Sequence, residues 1–99
     1  MPFRVNWTQL ASSDLREIEA YIAADNVGAS RREVANIIRK VDQLELFPKI
    51  GPVYRHTSDA EYRSVICGNY RIIYFIRPGE SVIDITTVRH GAQDEPDYL

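Results

Sequence analysis

Much of what would assign a function by inspection is missing from this chain. Among its 99 residues is a single cysteine, Cys67. It cannot close an internal disulfide, so nothing calls for an oxidising compartment. The two histidines, His56 and His90, are far apart, and no His/Cys spacing suits a metal. No glycine-rich phosphate loop is present. Neither a metal nor another cofactor is therefore expected. No apolar run approaches the ~20 residues of a membrane span, and none follows Met1-Pro2-Phe3-Arg4 as an export signal would require. No membrane partner is expected, and the cytoplasm is the expected location. Asn6-Trp7-Thr8 matches a glycosylation sequon, which in a non-secreted chain reads as chance. Positive charge is not in excess. Twelve Lys and Arg face fourteen Asp and Glu, for a net charge of −2. That disfavours bulk attraction to nucleic acid, though it leaves room for a local basic face. Repeats and low-complexity segments are absent as well.

What remains is the profile of one small globular domain spanning residues 1–99. Hydrophobic residues make up 44% and charged residues 26%, both ordinary for a folded domain. The length allows one modest core. With a net stability of ~5–15 kcal/mol, a bound partner would weigh heavily.

Phe3, Val5 and Trp7 alternate with Arg4 and Asn6, the period of a half-buried strand. Thr8 is placed to cap a helix in which Ala11, Leu15, Ile18 and Ile22 share one face, ending around Asp25. A second helix carries Val34, Ile37, Ile38, Val41 and Leu44 on one stripe. It starts either at Asn26 or at a capping box over Ser30 to Glu33. Pro48 stops it near Phe47. The short link makes the two helices an antiparallel hairpin. Residues 48–60 read as a loop, punctuated by Pro48, Gly51 and Pro52. Three β-rich runs follow. Residues 61–67 and 70–76 flank Gly68-Asn69, a two-residue hairpin signal. Residues 82–91 follow the turn Arg77-Pro78-Gly79-Glu80, and an acidic tail occupies about 92–99. The predicted fold is α+β, two layers in the order β-α-α-β-β-β, with the helical hairpin packed on a mainly antiparallel sheet.

Arg63, Arg71 and Arg89 recur where strands should be apolar. They could form a cationic patch that clamps phosphates or stabilises a developing charge. Equally, they could pair with nearby carboxylates such as Glu61 and Asp84, since an unpaired buried arginine is costly. His56 and His90 could act as a general acid/base pair, or bond to backbone. Cys67 lacks any identifiable base and reads as a small hydrophobe. Trp7, Tyr70 and Tyr74 could stack bases, but core packing suits their strand positions better.

The order Tyr70-Arg71-Ile72-Ile73-Tyr74, a turn, an Ile-rich strand and then Val88-Arg89-His90-Gly91 resembles the ParE/RelE superfamily of bacterial toxins. Ala11, Asp14-Leu15, Glu17-Ile18 and Tyr21-Ile22 resemble the first helix of its ParE-like branch, and Leu44 to Gly51 its Leu-x-x-x-Pro-x-x-Gly ending. The resemblance covers nearly the whole chain. It implies the toxin half of a type II toxin–antitoxin pair, poisoning DNA gyrase by binding and forming a hetero-oligomer with a cognate antitoxin. It also implies antitoxin contacts at Ile18, Ile22, Ile37 and Ile38, with Arg63 and Arg71 meeting acidic side chains. The alternative is the RelE-like activity, ribosome-dependent mRNA cleavage, for which Arg63, Arg71 and His90 would be the catalytic candidates. That set is incomplete. Val65 stands near a position where the RNases carry a second lysine, and Ala92-Gln93 follow His90-Gly91 where a cation is expected. Tyr98 is the nearest counterpart of their C-terminal tyrosine. These departures favour the ParE-like reading, without direct nucleic-acid binding.

Overall fold

A computed structural model describes residues 2–57 and 60–91. The acidic tail, Tyr98 and Ala92-Gln93 lie outside the described residues. The chain forms β1 (Arg4–Trp7), α1 (Gln9–Ala23), α2 (Val27–Asp42), a 3-10 turn (Gln43–Glu45), β2 (Val53–His56), β3 (Glu61–Cys67), β4 (Tyr70–Arg77) and β5 (Val82–His90). Thr8 caps α1 as its position predicts, accepting from the Ala11 amide at 3.2 Å. Its hydroxyl also donates to the Ile85 carbonyl at 2.6 Å, which ties the start of the helix to β5. Of the two candidate starts for α2, Asn26 is the cap: its side-chain oxygen accepts from the Ala29 amide at 2.9 Å. Ser30, buried, instead donates to the Glu19 carbonyl at 2.7 Å and stitches the helices together.

The sheet order is β1-β5-β4-β3-β2. β1 runs parallel to β5, with Arg4 opposite Val82 and Trp7 opposite Ile85. All other pairs are antiparallel. Gly68-Asn69 closes the β3–β4 hairpin, and Gly68 takes φ 57°, a conformation glycine adopts without penalty. The two-layer α+β architecture is as expected, but the sheet has one strand more than the three β-rich runs and β1 suggested. Residues 53–56 are not loop. They pair with β3 through Val53–Arg63, Arg55–Tyr62 and His56–Glu61, with a bulge between Val53 and Arg55. Four residues with an interrupted alternation carry too little local pattern to announce a strand. Pairing with β3 makes it one.

Ile37, Val41 and Leu44 meet Ala11, Val65, Ile72, Tyr74, Ile83 and Ile85 in the core. Ile38 is 40% exposed, so the apolar stripe of α2 is narrower than its sequence suggests. The chain beyond α2 crosses the helix side of the sheet as a belt. Glu45 accepts from the Phe3 amide at 2.8 Å, beside β1. Further on, the Tyr74 hydroxyl donates to the Pro48 carbonyl at 2.7 Å and accepts from the Gly51 amide at 3.1 Å. Burial raises the Tyr74 pKa, which keeps that donor proton in place.

The outer edge of β5 outlasts β1, and α1 covers it. Asp14 accepts from the Val88 amide at 3.1 Å and from the Thr87 hydroxyl at 2.5 Å. A helix carboxylate thus closes backbone that would otherwise be an open sheet edge.

On the other face, Arg77 grips Asp84 at 2.8 and 3.0 Å, while Asn6 donates to it at 2.7 Å. These donors hold the Asp84 carboxyl below the usual carboxylate range. Because folding depresses this pKa, the stabilisation is whole above the unfolded value of ~3.9 and is lost as pH falls through the folded one. Asp84→Asn is expected to flatten the loss of stability below about pH 4 relative to the parent. Urea midpoints at neutral and acidic pH check this, and parallel acid limbs would contradict it.

Candidate functional site

Strand parity sorts the candidate residues onto two faces. Tyr70, Ile72 and Tyr74 of β4 point into the core, so Arg71, Ile73, Phe75 and Arg77 point away. On β3, Val65 and Cys67 face the helices, which puts Arg63 with them and places Tyr62, Ser64 and Ile66 opposite. Among the described residues, no helix packs on that second face.

The three arginines therefore do not form one patch. Arg63 stands on the helix side and is committed there. It donates to the Gly51 carbonyl at 2.8 Å, reaches the Lys49 carbonyl at 3.4 Å and pairs with Glu61 at 3.1 Å. Its guanidinium pins the belt. Arg71 and Arg89 are direct cross-strand neighbours on the helix-free face. Arg71 donates to Ser64 Oγ at 3.0 Å and stacks over the Tyr54 ring, 5.2 Å from its centroid. Of the two carboxylates proposed as partners, Glu61 takes Arg63. Asp84 takes Arg77, which was not among the three. Ile66, paired with Arg71, is 51% exposed on the same face.

The histidines are not brought together. His90 pairs with Tyr70, next to the Gly68-Asn69 turn, and stacks edge-on against its ring at 5.6 Å. His56 pairs with Glu61, at the other end of β3. The length of β3 separates them by roughly 20 Å. Cys67 is half-buried and its thiol pKa is raised, first by burial and then by Glu33, so the thiol form persists. Trp7, Tyr70 and Tyr74 all contribute to the core.

A cleft of about 480 Å³ lies between α1 and the end of β5, with Glu17, Ile18, Tyr21, Tyr70, Arg89 and His90 in its walls. Ile18 thus borders a concave surface. Ile22 is partly buried against the core, while Ile38 is accessible on α2. Ile37 is fully buried and offers no surface to a partner, which corrects its reading as a contact residue. Tyr54 was not singled out from the sequence, since it lay in an apparent loop. Glu17 and Tyr21 entered only through the first-helix resemblance, with no site role attached to them. Among the described residues, no group of His, Cys, Asp and Glu is arranged to hold a metal. None of their helices is long and apolar enough to cross a membrane.

The family model for the ParE toxin of the type II toxin–antitoxin system parDE matches residues 5–95. The chain belongs to the ParE toxin family of type II toxin–antitoxin systems. A curated relative, "Putative toxin Y4kP" of Sinorhizobium fredii (strain NBRC 101917 / NGR234), is 35% identical over 96 residues, 97% of this chain and 96% of its own length. Three solved structures share the fold. A chain of the RelBE2 toxin–antitoxin complex of Mycobacterium tuberculosis superposes with a TM-score of 0.67 at 24% identity, covering 91% of this chain and 99% of its own. The chromosomal ParDE system of P. aeruginosa gives 0.71 at 16%, covering 89% and 95%. The RelE–RelB complex of Pyrococcus horikoshii OT3 gives 0.68 at 18%, covering 95% and 100%. At these identities the structural likeness bears on the fold of this ParE-family chain. Its helix pair, five strands and mixed sheet are those of the RelE/ParE-like architecture.

Proposed function

We propose that this toxin poisons DNA gyrase by binding it, without a catalytic centre, and that a cognate antitoxin neutralises it. The observation carrying this reading is the dispersal of the candidate chemistry. Arg63 is turned to the helix side and held by Gly51, Lys49 and Glu61, while Arg71 faces the other way. His56 and His90 stand at opposite ends of the sheet. A transition state needs its cations and proton carriers around one atom. A binding poison needs only a stable surface. A gyrase target and the expected cytoplasmic location agree.

The RelE-like alternative, ribosome-dependent mRNA cleavage, has one observation in its favour: Arg71 and Arg89 share the helix-free face near the end that carries His90. The two readings separate in one pair of assays, gyrase supercoiling and cleavage of ribosome-bound mRNA. His56→Ala and His90→Ala are expected to retain toxicity and supercoiling inhibition when folded. Loss of mRNA cleavage in a stable His90→Ala variant would establish the nuclease instead.

An antitoxin partner is supported by the structural neighbours, which are toxin–antitoxin complexes. On this chain the accessible contacts would be Ile18 at the cleft, Ile38 on α2 and Arg71 on the helix-free face, with Ile22 partly accessible. Ile37 and Arg63 would serve as the supports behind that surface. Co-expression with the adjacent gene product should yield a hetero-oligomer by size exclusion. Two separate species at micromolar concentration would contradict it.

A further inference from the structure

The helix-free face of the sheet is less open than its lack of helices implies. Ile73 is 0% exposed, yet it points away from the core and is absent from the cluster that Ile72 and Tyr74 join. Ser64, opposite it on β3, is 3% exposed. A side chain on an uncovered antiparallel sheet face keeps part of its surface in water. The described neighbours account for one side of Ile73. Arg71 leans toward β3 and β2, where it meets Ser64 and Tyr54. Phe75 leans on Tyr62 of β3, ring to ring at 5.6 Å. On β5, Thr87 stands opposite Ile73, but it is short and its hydroxyl is turned to Asp14 on α1. This leaves the β5 side of Ile73 to be closed from elsewhere in the chain.

Charge points the same way. The contacts of the Arg71 guanidinium are a hydroxyl and a ring, so among the described residues no carboxylate neutralises it. Arg89 is directly across from it on β5. The chain leaves β5 at this same end: His90 pairs with Tyr70, and the Gly91 amide donates to the Asn69 carbonyl at 2.7 Å. Beyond Gly91, residues 92–99 carry Asp94, Glu95 and Asp97, no Lys or Arg, and then Tyr98 and Leu99. The two orders match. From the exit inward β4 presents Arg71, then Ile73, then Phe75, and the tail presents Asp94-Glu95, then Tyr98-Leu99. Reach is ample. Ile73 stands about 10 Å along the strand from the exit, and an extended stretch from 92 to 99 spans up to ~26–29 Å.

We propose that residues 92–99 turn back at Gly91 and lie across the helix-free face on its β5 side, with Asp94 and Glu95 against Arg71 and Arg89, and with Tyr98 and Leu99 over Ile73. The tail is then an internal counter-charge that withholds the two arginines from anionic groups of other molecules. Each surface ion pair is weak, but a short tether presents the carboxylates at high effective concentration. The cover stops short of β3, where Ile66 is exposed beside Arg71. Arg71 therefore stays open on that side, where an antitoxin can still meet it. The proposal goes beyond the gyrase and antitoxin readings and requires neither.

A nitroxide at Pro96→Cys, in the full chain with Cys67→Ser and with melting checked against the parent, reports where the tail lies. Amides of Ile73, Thr87 and Phe75 should broaden more strongly than any in α1 or α2. Broadening centred on Ile18 and Tyr21 would put the tail in the α1–β5 cleft and overturn the proposal, as would a sheet left unbroadened. The shielding is read with a fluorescein-labelled heparin hexasaccharide as the anionic probe. The triple variant Asp94→Asn/Glu95→Gln/Asp97→Asn should bind it about ten-fold tighter than the parent at low salt, and the difference should shrink as salt rises. The same change of charge away from the face, Glu19→Gln/Asp25→Asn/Asp42→Asn, should raise affinity clearly less. Adding Arg71→Gln to the tail variant should remove most of the gain. Equal affinity of parent and tail variant, an equal gain from the distant variant, or a gain that Arg71→Gln leaves intact would each overturn the shielding.

Discussion

Gly51→Ala is expected to lose roughly 3–6 kcal/mol of stability, a large share of the ~5–15 kcal/mol that holds a domain this size. A Cβ at this position would lie 2.4 Å from the Ser64 carbonyl oxygen, 2.9 Å from its carbon and 2.9 Å from the Tyr74 hydroxyl. Two of those three atoms are backbone in a paired strand and cannot rotate away. Overpacking alone costs ~1–3 kcal/mol. Moving the belt to make room would break the Gly51 bonds to Tyr74 and Arg63, leaving buried polar groups unpaired at about 1–3 kcal/mol each. Gly28→Ala is the matching control. Its Cβ would meet only the Arg32 and Asn26 side chains, at 3.4 Å, inside α2. There alanine should be neutral or stabilising by up to ~1 kcal/mol through helix propensity. Urea denaturation of both variants gives the comparison. A Gly51→Ala protein within about 1 kcal/mol of the parent would mean that the belt is loosely held.

The second large effect is a contrast between neighbours. Ile37 is fully buried, whereas Ile38 keeps 40% of its surface. Ile37→Ala should cost ~2–5 kcal/mol, since it removes buried methyl groups and leaves a cavity among Val41, Leu44 and the sheet. Ile38→Ala should cost clearly less, on the order of 1 kcal/mol, because solvent already reaches the site. Equal losses would show that α2 is rotated about its axis from the orientation described. The contrast also bears on function. An antitoxin contact at Ile38 can be tested by truncation without unfolding the protein, and one at Ile37 cannot.

The helices were readable because periodicity is a local property. Ala11, Leu15, Ile18 and Ile22 announce their face within a dozen residues. Two features of the sheet were not. β2 acquires its identity from β3, a partner found later in the chain, and four residues hold too little pattern to show it. Tyr54 beneath Arg71 disappeared with it. Asp14 was also unreadable, because its role depends on β1 ending at Trp7 while β5 runs on to His90. The separation of Arg63 from Arg71 is a different case. A two-residue turn at Gly68-Asn69 pairs Cys67 with Tyr70, hence Ile66 with Arg71 and Arg63 with Tyr74. Counting outward from that turn places the two arginines on opposite faces. The two-residue turn alone therefore sets the face on which each arginine stands.

The parallel pairing of β1 with β5 sets when this protein can exist during its own synthesis. β5 lies between β1 and β4, yet it is the last of the described strands to be made. At ~5–20 residues per second, Val82–His90 follows Trp7 off the ribosome by roughly 4–15 s. A hairpin such as β3–β4 can close in ~1–10 μs once its residues are free. For those seconds β1 has no neighbour, Thr8 and Asp14 have no edge to bind, and α1 has α2 but not β5 to pack on. A nascent chain halted before Val82 is therefore not a weakened toxin but an unfinished one, with its apolar strand and helix faces open to chaperones and proteases.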